Sequence, residues 1–71
     1  MADSVYKIIE LVGTSPDSWE RAAANAVERA AGSLRDLRIA EVVKLDLHVE
    51  GGKATLYRAK VALSFKYEDS V

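Results

Sequence analysis

The chain has 71 residues, with 10 Lys and Arg against 11 Asp and Glu, and it contains no Cys. The length fits a single domain over residues 1–71. The near-neutral charge excludes the strongly basic surface of a dedicated nucleic-acid binder and a polybasic patch for a membrane surface. Without Cys there are no disulfides and no thiolate zinc site, and Met1–Ser4 does not begin a signal peptide, so we expect a cytoplasmic protein. A chain this small without staples gains its extra burial by oligomerisation.

The first predicted element is a strand over residues 5–12, because Val, Ile and Tyr dominate the segment VYKIIELV. Apolar side chains occupy both of its faces. A strand that is wet on one face alternates more cleanly between apolar and polar residues. We therefore expect this strand to be covered on both sides, by its own helix and by another subunit.

A helix is predicted next, from Pro16 to Leu34 or Arg35. Gly13–Asp17 is interpreted as a turn, with Ser15 as the N-cap and Pro16 at the first helical position. Gly32 is interpreted as a tolerated cost inside the helix rather than as its C-cap, because Leu34 still continues the apolar stripe. The stripe follows the helical period and is rich in small side chains; it consists of Trp19, Ala22, Ala23, Ala26, Val27, Ala30, Ala31 and Leu34.

Two long alternating segments complete the chain, over Leu37–Glu50 and Thr55–Tyr67, and Gly51-Gly52 between them is a hairpin signal. Right-handed crossover makes the first two strands parallel, and the third fits between them. The predicted fold is α+β, a β-α-β-β unit with a three-stranded antiparallel sheet in the order 1-3-2 wrapped on one long helix. One apolar face of the second strand is predicted to hold Leu37, Ile39, Val43, Leu45, Leu47 and Val49, interrupted by Glu41.

Few residues of the chain suggest chemistry. Glu41 on an apolar face predicts a buried carboxylate, for which we favour pairing between subunits over a ligand role. His48 is interpreted as a solvated surface residue, and Trp19 as a core or interface residue. Gly13-Thr14-Ser15 lacks the spacing of a phosphate-binding loop, and the carboxylates do not fit a calcium-binding loop. No Ser has a neighbouring His to activate it, so we expect no enzyme activity.

The sequence resembles the dodecin family over Val5–Glu68. The resemblance is carried by VYKIIELVGTSPDSWERAAANAVERA, LRDLRIAEV and LYRAKVALSFKYE, which occur in that order. It implies the same β-α-β-β unit and a hollow sphere of twelve identical subunits. It also implies flavin, as FMN or riboflavin, held in pockets between subunits and stored rather than used in catalysis.

The cofactor-binding positions matched by the resemblance are Ile39, Tyr57 and Arg58. Flavin-binding dodecins carry a stacking Trp where this chain has Ile39, and a hydrogen-bonding Gln where it has Arg58. Members without the Trp are associated with calcium, and some bacterial members with coenzyme A. The leading hypothesis is therefore a shell that binds, stores or buffers a small ligand, with flavin as the ligand the family implies. The alternative is a structural or calcium-binding dodecin with weak or no flavin affinity, whose metal ligands the sequence does not identify.

Overall fold

The structure, a computed structural model, describes residues 5–66. Three strands and one helix follow in the order β1 (Tyr6–Ser15), α1 (Trp19–Ala31), β2 (Leu37–Glu50) and β3 (Lys53–Lys66). β3 lies between β1 and β2 and is antiparallel to both. The predicted fold class, strand order and hairpin are confirmed, and Gly51 and Gly52 both have the positive φ that a tight hairpin turn requires. The expectations for Met1–Ser4 and for residues from Tyr67 onwards lie outside the described residues.

The start of the helix differs from the prediction. β1 continues through Ser15, which pairs with Tyr57 of β3, so Gly13–Ser15 is strand and not turn. The N-cap is Ser18, whose backbone is extended and whose hydroxyl oxygen accepts the Arg21 N–H at 2.9 Å. The Ser15 hydroxyl instead accepts the N–H of Asp17. The sheet ladder thus holds Ser15 extended, and the helix begins three residues later than predicted.

The end of the helix also differs. Gly32 is the C-cap and not an interior residue, and the helix ends at Ala31. The N–H of Leu34 still donates to the Ala30 carbonyl at 2.8 Å, so the chain forms one more helix-like turn after α1. This explains why Leu34 continues the apolar stripe and packs on the core although it lies outside the helix.

The core lies between α1 and β3 and is built from small side chains on the helix. Gly13 of β1 shows how close the two layers are, because a Cβ built there would lie 2.0 Å from the Ala22 carbonyl oxygen. The alanine stripe predicted from the sequence is therefore what allows the helix to lie directly on the sheet. The buried apolar residues of this core are Ala22, Ala26, Ala30, Ala59, Val61 and Leu63. Ala62 is also buried but lies on the other side of the sheet.

β-Bulges in β2 change which side chains share a face. The pairing with β3 shifts between Leu37 and Ile39 and again between Val42 and Lys44. Each extra residue reverses the alternation that follows. As a result Ile39 pairs with Ser64 and lies on the side of the sheet away from the helix, whereas Leu37 pairs with Phe65 and lies on the helix side. The predicted single apolar face of β2 is wrong at Ile39, Glu41 and Val43.

The same bulges decide the position of Glu41. It pairs with Ala62 on the side away from the helix, and its side chain is exposed. Within one chain the carboxylate is therefore not buried, because the prediction assumed an unbroken alternation through β2. Its pairing with another subunit stays a prediction.

The sheet is much longer than the helix that covers it. Fourteen residues of β2 or β3 span about 46 Å, whereas the thirteen residues of α1 span about 20 Å. The helix packs on β1 and β3 and barely reaches β2. Large apolar side chains are therefore exposed on both sides of the sheet. These exposed apolar residues are Val5, Tyr6, Ile8, Val12, Ile39, Val42, Val43, Leu45, Leu47 and Val49.

Within the described residues, no helix has the length and apolar character to cross a membrane.

Candidate functional site

The side of the sheet away from α1, here called the outer face, carries most of the charged side chains of the strands. Paired residues of antiparallel strands share a face, so the register assigns them to rows that cross all three strands. From one end to the other, these rows are Ile8–Ser64–Ile39, Glu10–Ala62–Glu41, Val12–Lys60–Lys44 and Thr14–Arg58–Asp46. The outer face thus passes from an apolar row to a carboxylate row and then to a row with two lysines.

The strongest polar contact of the outer face joins Arg58 to Asp46. Arg58 Nε donates to Asp46 Oδ1 at 2.7 Å, and Arg58 Nη2 donates to Asp46 Oδ2 at 3.1 Å. This is the two-point geometry in which a guanidinium holds a carboxylate best. Through these hydrogen bonds, and then through its charge, Arg58 holds the pKa of the Asp46 carboxyl below its usual value. The same hydrogen bonds raise the pKa of Arg58.

A second ion pair lies one row away. Lys60 Nζ is 3.3 Å from Glu10 Oε1. Val12, Lys44, Asp46, Arg58 and Lys60 together line a depression of about 200 Å³ in the outer face. Three of these five side chains are cations and one is an anion, so the depression has a positive surplus.

Asp46 also connects the outer face to the helix. Its backbone carbonyl accepts the indole N–H of Trp19 at 3.1 Å. The Trp19 ring meets the ring of Tyr57 edge-on, with centroids 5.0 Å apart and an angle of 74° between the planes. Trp19 is half-buried in this contact, which agrees with its predicted role as a core or interface residue.

The structure separates the three cofactor-binding positions predicted from the family resemblance. Tyr57 lies on the helix side of the sheet, against Trp19, whereas Ile39 and Arg58 lie on the outer face. Ile39 pairs with Ser64, which is six residues and therefore about 20 Å from Arg58 along β3. A single chain does not bring the three side chains together, so a ligand that touched all of them would have to lie between subunits.

The residues at these positions do not fit the isoalloxazine ring of a flavin. Ile39 is 60% exposed and offers no aromatic face on which the ring could stack. Arg58 has donors only, and two of them are already bound to Asp46. The resemblance implies that a Trp and a Gln hold the ring at these two positions in flavin-binding dodecins. Ile39 and Arg58 remove both of these interactions.

The other residues weighed in the sequence are dispersed. Within residues 5–66 there is no group of three His, Asp or Glu side chains that could hold a metal ion. His48 is exposed, and its Nε2 lies 4.0 Å from Glu50 Oε2. Gly13–Ser15, considered as an anion cradle, forms regular strand backbone paired with β3. A calcium ion takes six to eight oxygen ligands, which carboxylates, carbonyl groups and water can supply.

Known proteins share both the sequence pattern and the architecture of this chain. The sequence model of the dodecin family matches residues 5–68. The chain belongs to the dodecin family. It is 51% identical over 63 residues to the calcium dodecin of Mycobacterium tuberculosis, with 89% of each chain covered. Dodecins are generally binding proteins and not catalysts.

Solved dodecin structures share the fold over nearly the whole chain. The dodecin of Streptomyces coelicolor superposes with a TM-score of 0.90 at 37% identity, covering 99% of this chain and 100% of the other. A crystal structure of the Mycobacterium tuberculosis calcium dodecin, described as a calcium-chelating antigen with a novel calcium-binding site, gives 0.83 at 48% identity, covering 96% and 97%. A mutant of the Thermus thermophilus dodecin gives 0.87 at 32% identity, covering 96% and 100%.

Sequence reasoning missed Asp46 as the partner of Arg58. Counting outward from a two-residue Gly51-Gly52 turn pairs Asp46 with Tyr57. The third register shift, between His48 and Val49, moves the pairing by one residue and places Asp46 opposite Arg58. The sequence carries no signal for this irregularity, so the ion pair could be found only from the structure.

Proposed function

We propose that this dodecin is a non-catalytic, homododecameric shell of the cytoplasm that binds and buffers a small ligand, and that Ca²⁺ is that ligand in preference to flavin. The observation that carries the choice of ligand is the pair of outer-face positions, Ile39 and Arg58. One lacks an aromatic ring, and the other is bound to Asp46. The identity of 51% to a relative named calcium dodecin supports the same choice.

Assembly into a shell is supported by the apolar surface that one chain leaves uncovered. Val42, Leu45 and Leu47 lie on the helix side of β2, which α1 barely reaches, and each is between 42% and 49% exposed. Ile8 and Ile39 are exposed on the outer face. A stable monomer rarely leaves a long apolar strand open on both sides. Size exclusion with light scattering at micromolar concentration tests the assembly, and a monomer or dimer mass would contradict it.

Calcium binding by such a shell would use carboxylates from neighbouring copies. The outer face contributes Glu10, Glu41 and Asp46, and two of these already have cationic partners, Lys60 and Arg58. Glu41 is exposed and forms no salt bridge within residues 5–66. Carboxylate oxygens are the ligands that Ca²⁺ prefers. A site shared between copies would bind the ion only in the assembled protein, which links calcium affinity to assembly.

A parallel titration of the assembled apo protein with Ca²⁺, riboflavin and FMN tests the ligand. We expect the melting temperature to rise with Ca²⁺, because a ligand at 100 times its Kd stabilises by about 2.7 kcal/mol. Mg²⁺ at the same concentration is the control, since it demands a tighter geometry than Ca²⁺. Quenching of riboflavin fluorescence at micromolar protein, together with no response to Ca²⁺, would overturn the choice of calcium and restore flavin.

The proposed loss of flavin affinity is tested by restoring the two missing groups. We expect Ile39→Trp to strengthen riboflavin binding, and to do so more than Arg58→Gln alone. A Trp adds a stacking surface, whereas a hydrogen bond in a wet pocket contributes only about 0.5–1.5 kcal/mol net. The exposure of Ile39 leaves room within the chain for the larger ring. Equal or weaker riboflavin affinity in an intact Ile39→Trp oligomer would show that the family-matched position is not a ligand contact in this protein.

A further inference from the structure

The depression in the outer face has the composition of an anion site. Its lining includes the side chains of Lys44, Arg58 and Lys60, with Asp46 as the single carboxylate and Val12 as its apolar wall. Lys60 is drawn to Glu10, and Arg58 to Asp46. Lys44 forms no salt bridge within residues 5–66. One of the three cations, Lys44, therefore has no counter-ion within the described residues. The other two, Arg58 and Lys60, are paired, but their side chains are only half-buried.

Asp46 occupies the part of Arg58 that an external anion would use. The two oxygens of the carboxylate meet Nε and Nη2 of the guanidinium in a two-point contact. A phosphate group offers a pair of oxygens at a similar spacing, with more negative charge. Lys44 and Lys60 flank this position in the neighbouring row and add the point charges with which lysine binds phosphate.

We propose that this depression binds a phosphate group, and that Asp46 is a built-in competitor which holds Arg58 until such a group arrives. The proposal does not rest on calcium binding, since it concerns an anion and the cationic side chains of Lys44, Arg58 and Lys60. Ligand pockets for drug-sized molecules have volumes of about 300–1,000 Å³. At about 200 Å³ the depression fits phosphate, diphosphate or the phosphate end of a larger molecule, but not a whole nucleotide.

Isothermal titration of the assembled protein with pyrophosphate at low salt tests the site. We expect binding to the wild type that weakens as salt is added, because the contacts are exposed charges. Arg58→Gln and Lys44→Gln should each weaken it by about fivefold or more. Asp46→Asn, which removes the competitor and keeps the side-chain shape, should strengthen it by about tenfold.

Glu28→Gln is the matched control for Asp46→Asn. Glu28 accepts two 3.0 Å hydrogen bonds from Arg21 on the far side of the helix, so its loss frees an arginine and changes the charge by the same amount. If Glu28→Gln strengthens pyrophosphate binding as much as Asp46→Asn does, the effect is one of net charge and the proposal fails. It also fails if neither the wild type nor Asp46→Asn binds pyrophosphate while light scattering shows an intact oligomer.

The source of the phosphate is distinguished by three further titrations. Inorganic phosphate reports a free ion, and FMN reports a phosphate end carried by a larger molecule, with riboflavin as its phosphate-free counterpart. Asp46→Asn should strengthen FMN but not riboflavin if the phosphate end is the group recognised. Lys44→Gln should show the opposite change to Asp46→Asn with every phosphate probe, and this holds even if substitution at Arg58 prevents assembly.

Discussion

Replacing Gly13 by Ala should destabilise the protein strongly, although the exchange adds a single methyl group. A Cβ at this position would lie 2.0 Å from the Ala22 carbonyl oxygen and 3.0 Å from the Ala26 Cβ. Gly13 has no positive φ, so backbone conformation alone does not forbid Ala. In open space the same exchange stabilises a protein by about 0.4–1 kcal/mol through the unfolded state. Any loss of stability therefore measures the contact between strand and helix.

The magnitude follows from the distance that must be recovered. Raising the contact from 2.0 Å to between 3.0 and 3.4 Å requires the helix to retreat by 1.0 to 1.4 Å, because the atom it meets belongs to the backbone. A gap of 0.5–1 Å already forfeits a quarter to a half of each dispersion contact. Ala22, Ala26 and Ala30 all pack through this interface. We expect a loss of about 2–3 kcal/mol, at the upper end of the range for overpacking.

Gly32→Ala is the control, because the nearest atom to a Cβ there is the Arg29 carbonyl oxygen at 3.4 Å and φ is −70°. Thermal and urea unfolding should be compared at one protein concentration, since assembly makes the melting temperature depend on concentration. The Gly13 variant should melt about 8–24 °C below the wild type, while Gly32→Ala changes little. Equal melting temperatures for the two variants would refute the reasoning about close packing.

Four further outcomes are expected. Leu63→Ala, at a side chain with no exposed surface, should cost about 2–5 kcal/mol in urea unfolding. Ser18→Ala should lower helix stability by about 1 kcal/mol while Ser33→Ala does not, because only Ser18 caps α1. Arg58 lowers the folded-state pKa of Asp46 below 3.8. The stability that the ion pair adds is therefore complete above that pH and is lost as the pH falls below it. The difference in melting temperature between wild type and Asp46→Asn should shrink as the pH falls under about 4. The oligomer should survive molar salt in light scattering, since exposed ion pairs contribute only about 0–1 kcal/mol each, and dissociation would show that charge dominates assembly.

The architecture could be predicted from the sequence because it depends on patterns that are local and repeated. The period of the alanine stripe identified the helix, and Gly51-Gly52 identified the hairpin. The crossover rule then left one strand order. The start of the helix was predicted wrongly for a physical reason, because Ser15 and Ser18 are equally good caps. The pairing of Ser15 with Tyr57 decides between them, and a local pattern cannot reveal that pairing.

The candidate site could not be predicted because it depends on register. Alternation assigns faces correctly only while the ladder is regular, and three shifts interrupt the pairing of β2 with β3. Ile39 and Glu41 moved to the outer face for this reason, and Arg58 gained Asp46 as its partner. Such irregularities carry no strong residue signal, since the residues at the shifts include ordinary strand formers such as Val43.

The single tryptophan of the chain gives this sheet an optical reporter that needs no label. The indole N–H of Trp19 is bound to the main chain of Asp46, whose carboxylate holds Arg58 on the opposite side of the sheet. Emission from an indole shifts with its hydrogen bond and with the polarity around it. A rearrangement of the Arg58–Asp46 pair that displaces the Asp46 backbone would therefore change the emission of Trp19 on the helix side. Trp19 fluorescence would then follow events on the outer face in real time, in the intact assembly.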